Sequence, residues 1–284
     1  MTDENPTPRP LEGVPTTGEP RVDALYRLLA IVDRLRAPDG CPWDKKQTTL
    51  SMAPSLIEEA HELVEAIEAG ADGATVEEAG DLLMVVFLVA RIAQDEGRFD
   101  LGAAARAVGD KLVRRHPHVF GDAEVTGSEH VIANWEKIKA EERAEKDEDA
   151  SALAGVPRAM PALQRASRIG AKAVAAGFRW ESPEGALAKI EEEVAELRAA
   201  FDSGDRTRVE AELGDVLMAS AFFASYAKAD AERATRTALL RFESRFRAME
   251  AELGPDAREA TLERWMAAWR AAKAAESSGE PSGS

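Results

Sequence analysis

This 284-residue chain has a single cysteine, no excess of basic residues and no long apolar run. The single cysteine, Cys41, cannot form an internal disulfide, as is typical of proteins from reducing compartments. Asp and Glu outnumber Lys and Arg by 52 to 36, the formal net charge is -16, and no basic stripe offsets it. Because a polyanion repels phosphate backbones and anionic lipids, we expect binding neither to nucleic acid nor to a membrane surface.

The longest uninterrupted apolar run, residues 82–90, is bounded by Asp81 and Arg91. A membrane-spanning helix needs about 20 apolar residues, so this run predicts a buried helix instead. The first twenty residues carry acids and prolines where a signal peptide needs cations and an apolar stretch. We therefore expect a cytoplasmic protein.

Apolar residues recur at helical spacing along the chain, and no sustained alternation predicts strands. The fold class predicted is all-α. Breaks between helices are expected at 37–44, 70–73, 97 and 203–205, and Ser182-Pro183 predicts a helix start.

The sequence contains an internal repeat with an offset of 134 residues. This offset matches eleven of the 29 positions from Leu56 to Met84, five of them acidic, and later pairs Trp135 with Trp269. Such self-similarity predicts two tandem copies of one helical unit.

The acids of each copy follow one pattern: Glu-Glu-x-x-Glu, then fifteen residues, then Glu-x-x-Asp. Spacings of three and four place side chains on one helix face. A break between the two patches lets the second helix fold back on the first, so we expect one carboxylate cluster per copy. The acids are Glu58, Glu59, Glu62, Glu78 and Asp81 in the first copy, and Glu192, Glu193, Glu196, Glu212 and Asp215 in the second.

Crowded carboxylates beside apolar neighbours repel one another by several kcal/mol at an effective dielectric constant of about 20, so they require a cation. Oxygen-only ligands select hard cations, and Mg²⁺ completes its coordination with waters and substrate phosphates. The pattern therefore predicts a Mg²⁺ site that holds a polyphosphate.

Three other interpretations apply to the same residues. Glu runs on helices are usually solvated faces, but identical acids and loop length in both copies disfavour this. Thr75-x-x-Glu78 matches a capping box, although the second copy keeps the acid without the threonine. Glu58-x-x-His61 has the spacing of di-iron bundles, but the second copy has no histidine there.

Several motifs surround these acids. EEAHE with EAGDLL, and EEEVAEL with ELGDVL, resemble the signature of the MazG nucleoside triphosphate pyrophosphohydrolases, and the resemblance runs from about residue 21 to 275. Flanking segments are similar to the full-length, tandem form of that family: CPWDKKQT (41–48), QDEGRFD (94–100), DKLVRRHPHVFGD (110–122), NWEKIKAEER (134–143) and PALQRASRIGAKA (161–173).

The resemblance implies a Mg²⁺-dependent enzyme, with Mn²⁺ able to replace Mg²⁺, that cleaves nucleoside triphosphates to monophosphate and pyrophosphate. It implies two tandem helical bundles intertwined in a homodimer, with Glu192 or Glu193 accepting a proton from water. The metal ligands implied are Glu193, Glu196, Glu212 and Asp215, with Glu59, Glu62, Glu78 and Asp81 in the first copy. The nucleotide contacts implied are Lys189, Glu192, Arg241, Arg245 and Trp269, and for Trp269 packing in the core is the alternative.

The two copies differ in their basic residues. Lys189 corresponds to Ser55, and Arg241 corresponds to Ala107. We therefore expect the C-terminal half to carry most of the turnover. The boundaries predicted are a disordered segment at 1–20, domains at 21–146 and 158–275, a linker at 147–157 and a disordered tail at 276–284.

Two alternatives to this function stay open at the sequence level. The helices could form a non-catalytic interaction module, or the same fold could act on a signalling or modified nucleotide. The helical pattern fixes neither base nor sugar preference.

Overall fold

The computed structural model describes residues 11, 14–145, 149 and 151–278. Within these ranges it contains twelve α-helices, one 3₁₀ helix and no strand, which confirms the all-α prediction. None of the helices in these ranges combines the length and the apolar character needed to span a membrane. Most of the predicted N-terminal disordered segment, and residues 279–284 of the predicted tail, lie outside the described residues.

The chain divides into two compact units between Lys139 and Ala140. This division falls within a helix, whereas the predicted boundary follows residue 146. The first unit contains α1 (Pro20–Arg36), α2 (Pro42–Lys46), α3 (Ala53–Glu68), α4 (Asp72–Asp95), α5 (Leu101–Arg115), α6 (Pro117–Phe120) and the beginning of α7 (Ser128–Glu145).

Helix α4 forms the centre of the first unit, where it packs against α1, α3 and α5. Its apolar run buries Val85, Phe87 and Leu88, as predicted for residues 82–90. Val32 of α1 and Met52 complete the core. Each such side chain contributes about 1.5–3 kcal/mol when fully buried. This core fixes the helix that carries the second acidic patch of the first copy.

The second unit is built around a hairpin of two long helices. The unit contains the end of α7, α8 (Ala162–Ala175), α9 (Pro183–Ser203), α10 (Arg206–Tyr226), α11 (Ala231–Leu253), the 3₁₀ helix Gly254–Glu259 and α12 (Leu262–Ser278). Helix α12 therefore extends three residues into the segment predicted as a tail. Helix α10 packs against α8 and α9, and α11 packs against α12.

Local capping determines where the α9–α10 hairpin begins and turns. The Ser182 side chain accepts a hydrogen bond from the Gly185 N–H, and Pro183 occupies the first turn of α9. Gly204 ends α9 with φ at +73°, a conformation that costs glycine little. The Asp205 side chain then caps α10. The helix start at Ser182-Pro183 and the break at 203–205 are thus confirmed.

Small residues bring the helices of the second unit close together. Gly170 of α8 lies against Phe222 of α10, and the buried residues of α9 and α10 are mostly alanines. Larger apolar side chains of the same hairpin remain exposed on its other faces: Leu187, Val194, Phe201, Leu213 and Leu217.

Candidate metal centres

Two helical hairpins each bring three carboxylates together. Helices α3 and α4 form one group, and α9 and α10 form the other. Within each group, one oxygen of every residue lies within 4.8 Å of the others. We name these groups the N-terminal cluster (Glu59, Glu78 and Asp81) and the C-terminal cluster (Glu193, Glu196 and Glu212).

The hairpin geometry explains why these six acids meet. Residues three or four apart project from one helix face, and the antiparallel return of the second helix brings its own acid opposite them. Glu62 and Asp215, also implied as ligands, lie outside the 4.8 Å groups. Glu62 is nevertheless close enough to act electrostatically on Glu59 and Glu78.

The capping-box interpretation of Glu78 is wrong. Helix α4 begins at Asp72 with Ala71 as its N-cap, so Thr75 lies inside the helix. A capping box requires the threonine at the N-cap position itself. The carboxylate of Glu78 is therefore not needed to cap the helix, and it joins the N-terminal cluster instead.

Lys189 neutralises part of the C-terminal cluster. Its Nζ lies 2.8 Å from an oxygen of Glu192 and 2.8 Å from an oxygen of Glu193. These hydrogen bonds, first to Glu192 and then to Glu193, raise the pKa of Lys189. Glu193 itself is only 6% exposed, and a buried carboxylate needs such a partner.

Arg208 is a second cation at this cluster. Its Nε lies 3.2 Å from Glu212 Oε1, one turn further along α10. The resemblance did not single out Arg208, but its i,i+4 spacing to Glu212 is the signal that could have found it. The 134-residue offset places Ala74 at the corresponding position of the first copy.

Glu196 completes the C-terminal cluster at its exposed edge. Its pKa is raised, first by desolvation and then by the charges of Glu212 and Glu193. A raised carboxylate pKa means that the ionised form is disfavoured there without an added cation. Two basic side chains therefore do not fully balance the carboxylates of this cluster.

The N-terminal cluster has no comparable basic partner. Desolvation, followed by the charges of neighbouring acids, raises the pKa of Glu59 and of Glu78. Within the described ranges no Lys or Arg forms an ion pair with any of its three acids. Ser55 and Ala74 occupy the positions that correspond to Lys189 and Arg208.

Both clusters have the donor set of a hard divalent cation. They offer only carboxylate oxygens, which Mg²⁺ and Ca²⁺ prefer and which softer metals prefer less. The raised pKa values add an electrostatic reason for a cation to bind. The residues present therefore fit the Mg²⁺ expected from the sequence.

The predicted aromatic contact, Trp269, lies in a packed cluster on α12. Its ring centroid is 5.7 Å from that of Phe242, and the Arg245 guanidinium lies 5.2 Å from its centroid. Arg245 also forms an ion pair with Glu276, and Arg241 is exposed. None of the contacts among the described residues joins these side chains to the C-terminal cluster, so their nucleotide role stays a prediction.

A protein-family sequence profile matches the chain twice. The profile, described as the MazG nucleotide pyrophosphohydrolase domain, covers residues 47–120 and residues 181–254. The two matched ranges are offset by the 134 residues of the internal repeat and contain the N-terminal and C-terminal clusters, respectively. The tandem arrangement inferred from the sequence is confirmed.

Relatives with similar sequences extend this comparison to most of the chain. The nucleoside triphosphate pyrophosphohydrolase of Escherichia coli K12 is 42% identical over 232 residues, which cover 81% of this chain and 88% of the relative. The nucleoside triphosphate pyrophosphohydrolase/pyrophosphatase MazG of Thermotoga maritima is 39% identical over 249 residues, 87% of this chain and 94% of the relative. A shorter match, 36% identical over 166 residues, joins 58% of this chain to 49% of a Mycolicibacterium smegmatis nucleoside triphosphate pyrophosphohydrolase.

Proposed function

This chain belongs to the MazG family of nucleotide pyrophosphohydrolases, and we propose that it hydrolyses nucleoside triphosphates to monophosphate and pyrophosphate in a Mg²⁺-dependent reaction. The observation that carries the proposal is the C-terminal cluster, in which three carboxylates converge beside two basic side chains. The acids suit a divalent cation, and the bases suit phosphate oxygens. The nucleotide substrate and the single cysteine also favour a cytoplasmic protein.

Glu193, Glu196 and Glu212 would hold Mg²⁺, with Asp215 on the adjacent turn of α10 as a further ligand. When bound, Mg²⁺ would supply charge neutralisation for the triphosphate and its pyrophosphate leaving group. Mn²⁺ has a similar preference for oxygen ligands and would be able to substitute for Mg²⁺ at this site.

Lys189 and Arg208 would bind the phosphate oxygens. In the absence of a ligand, each is hydrogen-bonded to an acid of the site, and each acid loses its need for that partner once a divalent cation is bound. The released ammonium and guanidinium groups would then donate to the negative oxygens of the triphosphate. This exchange would place both cations where negative charge grows as the bond to pyrophosphate breaks.

Glu192 is our candidate for the residue that accepts a proton from the attacking water. Lys189 donates to Oε1 of Glu192, which leaves Oε2 able to accept. Glu193 belongs to the metal group and is therefore less suited to this role. Lys189 has three N–H donors, so the one released by Glu193 would contact phosphate while the one to Glu192 would keep that carboxylate oriented.

The C-terminal unit would carry most of the turnover. The N-terminal cluster has the acids but neither of the two bases, so it would bind a cation more readily than a triphosphate. In the first copy Ser55 and Ala74 cannot contact phosphate as a Lys and an Arg can.

Two alanine variants test this assignment. We expect Glu193→Ala to abolish pyrophosphate release and Glu59→Ala to retain most of it, because the phosphate-binding bases flank only Glu193. The assay incubates ribo-, deoxyribo- and signalling nucleotides with Mg²⁺ and separates monophosphate and pyrophosphate from diphosphate and phosphate. If Glu59→Ala abolishes cleavage and Glu193→Ala retains it, the assignment of the two halves is reversed.

We also propose that the chain forms a homodimer through the exposed apolar face of the α9–α10 hairpin. Leu187, Val194 and Phe201 recur every seven residues along α9 and are exposed in the single chain. Apolar side chains with this spacing are typical of a helix that packs against another helix. Sedimentation of the wild type should give twice the chain mass, and Val194→Glu should shift it toward one chain mass. A monomeric wild type would contradict the proposal.

A further inference from the structure

Helix α7 has an apolar face that no helix of this chain covers. It spans 18 residues, none of them is buried, and among the described residues it packs against no other helix. Val131, Trp135 and Ile138 recur along it at spacings of four and three, so they share one face, which we name the α7 stripe. Most helical stability in proteins comes from packing of such a face. The α7 stripe is therefore suited to pack against another helix.

The second copy of the repeat shows which helix fits this stripe. At the 134-residue offset α12 corresponds to α7 and α11 corresponds to α5, and α12 packs against α11. Ring centroids lie 5.3 Å apart between Phe246 and Trp265, and 5.7 Å apart between Phe242 and Trp269. The aromatic face of α12 is thus covered by α11 of the same chain.

The face of α5 that corresponds to this covering face of α11 is open. Val108 and Leu112 take the places of Phe242 and Phe246, and both side chains are exposed. They are four residues apart, so they lie on one side of the helix, and we name them the α5 stripe. Helices α5 and α7, which the structure describes in full, do not pack against each other. The chain therefore presents two apolar stripes whose counterparts in the second copy are in contact.

Trp135 shows why α7 does not cover α5 of its own chain. Its ring lies 5.3 Å from the Arg115 guanidinium and 4.8 Å from the His116 ring, at the end of α5. The corresponding tryptophan of α12 contacts positions about one to two turns earlier in α11. Pro117 accounts for this shift, because it ends α5 at Arg115, whereas α11 continues to Leu253. The α7 of this chain is thus displaced past the α5 stripe.

The charges beside the two stripes are complementary. In the second copy Arg245 lies 5.2 Å from the centre of the Trp269 ring and forms an ion pair with Glu276. Lys111 and Glu142 take the places of Arg245 and Glu276, so α5 carries the cation and α7 the carboxylate. Lys111 forms no ion pair with any residue that the structure describes. A helix that brings Glu142 to Lys111 would therefore match α5 in charge as well as in apolar character.

We propose that α7 of a second copy of this chain packs on the α5 stripe, in the register that α12 adopts on α11, and that each copy gives its α7 to the other. Exchange of an identical element between two copies retains contacts that one chain already encodes. Leu112 would then contact Val131 of the second copy. Val108 and Lys111 would lie against Trp135 of the second copy. The exchange involves helices other than the α9–α10 face, and it does not depend on the hydrolytic function.

Cross-linking distinguishes exchange between copies from packing within one chain. In a Cys41→Ser background, Leu112→Cys with Val131→Cys places one thiol on each stripe, at positions whose counterparts are in contact. The matched control is Phe246→Cys with Trp265→Cys, the corresponding pair of the second copy. With a short bis-maleimide, the first pair should give a product of twice the chain mass on a denaturing gel. The control should give single chains that carry one internal cross-link.

A single-chain cross-link in the Leu112→Cys/Val131→Cys protein, or no cross-link at all, would overturn the exchange. Charge reversal is a second test that retains both stripes. Lys111→Glu in the same protein should lower the yield of the double-mass product, and Glu142→Lys added to it should restore the yield, because the pair is then reversed. An unchanged yield in Lys111→Glu would contradict the proposed register.

Hydrogen exchange in the wild-type chain needs no substitution, so it tests the exchange even if a cysteine variant does not fold. The amides of α7 should be protected from exchange to the same degree as those of α12, because both helices would be packed. Rapid exchange throughout α7 would overturn the proposal, since the helix would then have no partner in solution.

Discussion

Replacing Lys189 with methionine should separate the stability of the metal-free protein from its affinity for Mg²⁺. Methionine keeps the length of the side chain and its helix propensity while removing the charge. The substitution breaks two hydrogen bonds, one to Glu192 and one to Glu193, both at 2.8 Å. The different exposures of Glu192 and Glu193 determine how much each hydrogen bond contributes to stability.

The hydrogen bond to Glu193 should account for most of the fall in the free energy of unfolding. The Glu193 side chain is 8% exposed, and a hydrogen bond to a charged, buried group contributes about 1.5–3 kcal/mol. The Glu192 side chain is 58% exposed, so that pair contributes about 0.3–0.5 kcal/mol. Since Lys189 itself is 32% exposed, we take the lower end for Glu193. The free energy of unfolding without metal should fall by about 2 kcal/mol.

Mg²⁺ should stabilise the Lys189→Met variant more than it stabilises the wild type. Without the ammonium group, the C-terminal cluster has less positive charge, so a divalent cation gains more by binding. Binding to the native state alone raises stability with the ratio of free ligand to Kd. The increment from millimolar Mg²⁺ should therefore be larger in Lys189→Met than in the wild type, although hydrolysis falls because a phosphate contact is lost.

Urea unfolding in EDTA and in Mg²⁺ measures both quantities. Arg247→Met is the control, because Arg247 forms an exposed pair with Glu243 at 3.3 Å and its loss should cost about 0.3 kcal/mol. A Lys189→Met protein as stable as the wild type in EDTA, or stabilised less by Mg²⁺, would refute the reasoning.

Two further predictions concern packing and pH. Gly170→Ala should destabilise the protein by about 1–3 kcal/mol, because the new Cβ would lie 2.9 Å from the Phe222 ring, whereas Gly109→Ala in open space should not destabilise it; thermal unfolding compares them. The raised pKa values of Glu59 and Glu78 favour the folded state below the ordinary value of 4.5, and this contribution is lost as pH rises through the folded-state values. Urea midpoints in EDTA should therefore fall less steeply with rising pH in Glu78→Gln than in the wild type; equal slopes would contradict this origin.

Much of the architecture could be predicted from the sequence. Burial explains the helix at 82–90, and local backbone geometry explains the helix start at Ser182-Pro183 and the break at Gly204. Residues close in sequence largely determine both properties, so the sequence could predict these features. The repeat then extended each inference to a second copy. The capping box at Thr75 was wrong because the helix begins four residues earlier than that motif requires.

The contacts of the basic side chains could not be predicted from the sequence in the same way. Arg208 was not singled out, although it contacts Glu212, because charged pairs at this spacing are common on exposed helix surfaces. The contact between Trp180 and Tyr226 could not be predicted from the sequence either. Trp180 lies in a loop, and Tyr226 is 46 residues away in sequence.

By itself, the sequence determined the helical class, the duplication and the acids at each copy, because these follow from periodicities of three and four residues and from an offset visible in the letters. Tertiary structure decided which carboxylates converge, which of them have a cation beside them, and which helices of each copy pack together. Those properties depend on distances between helices, and the packing of side chains that are distant in sequence sets these distances.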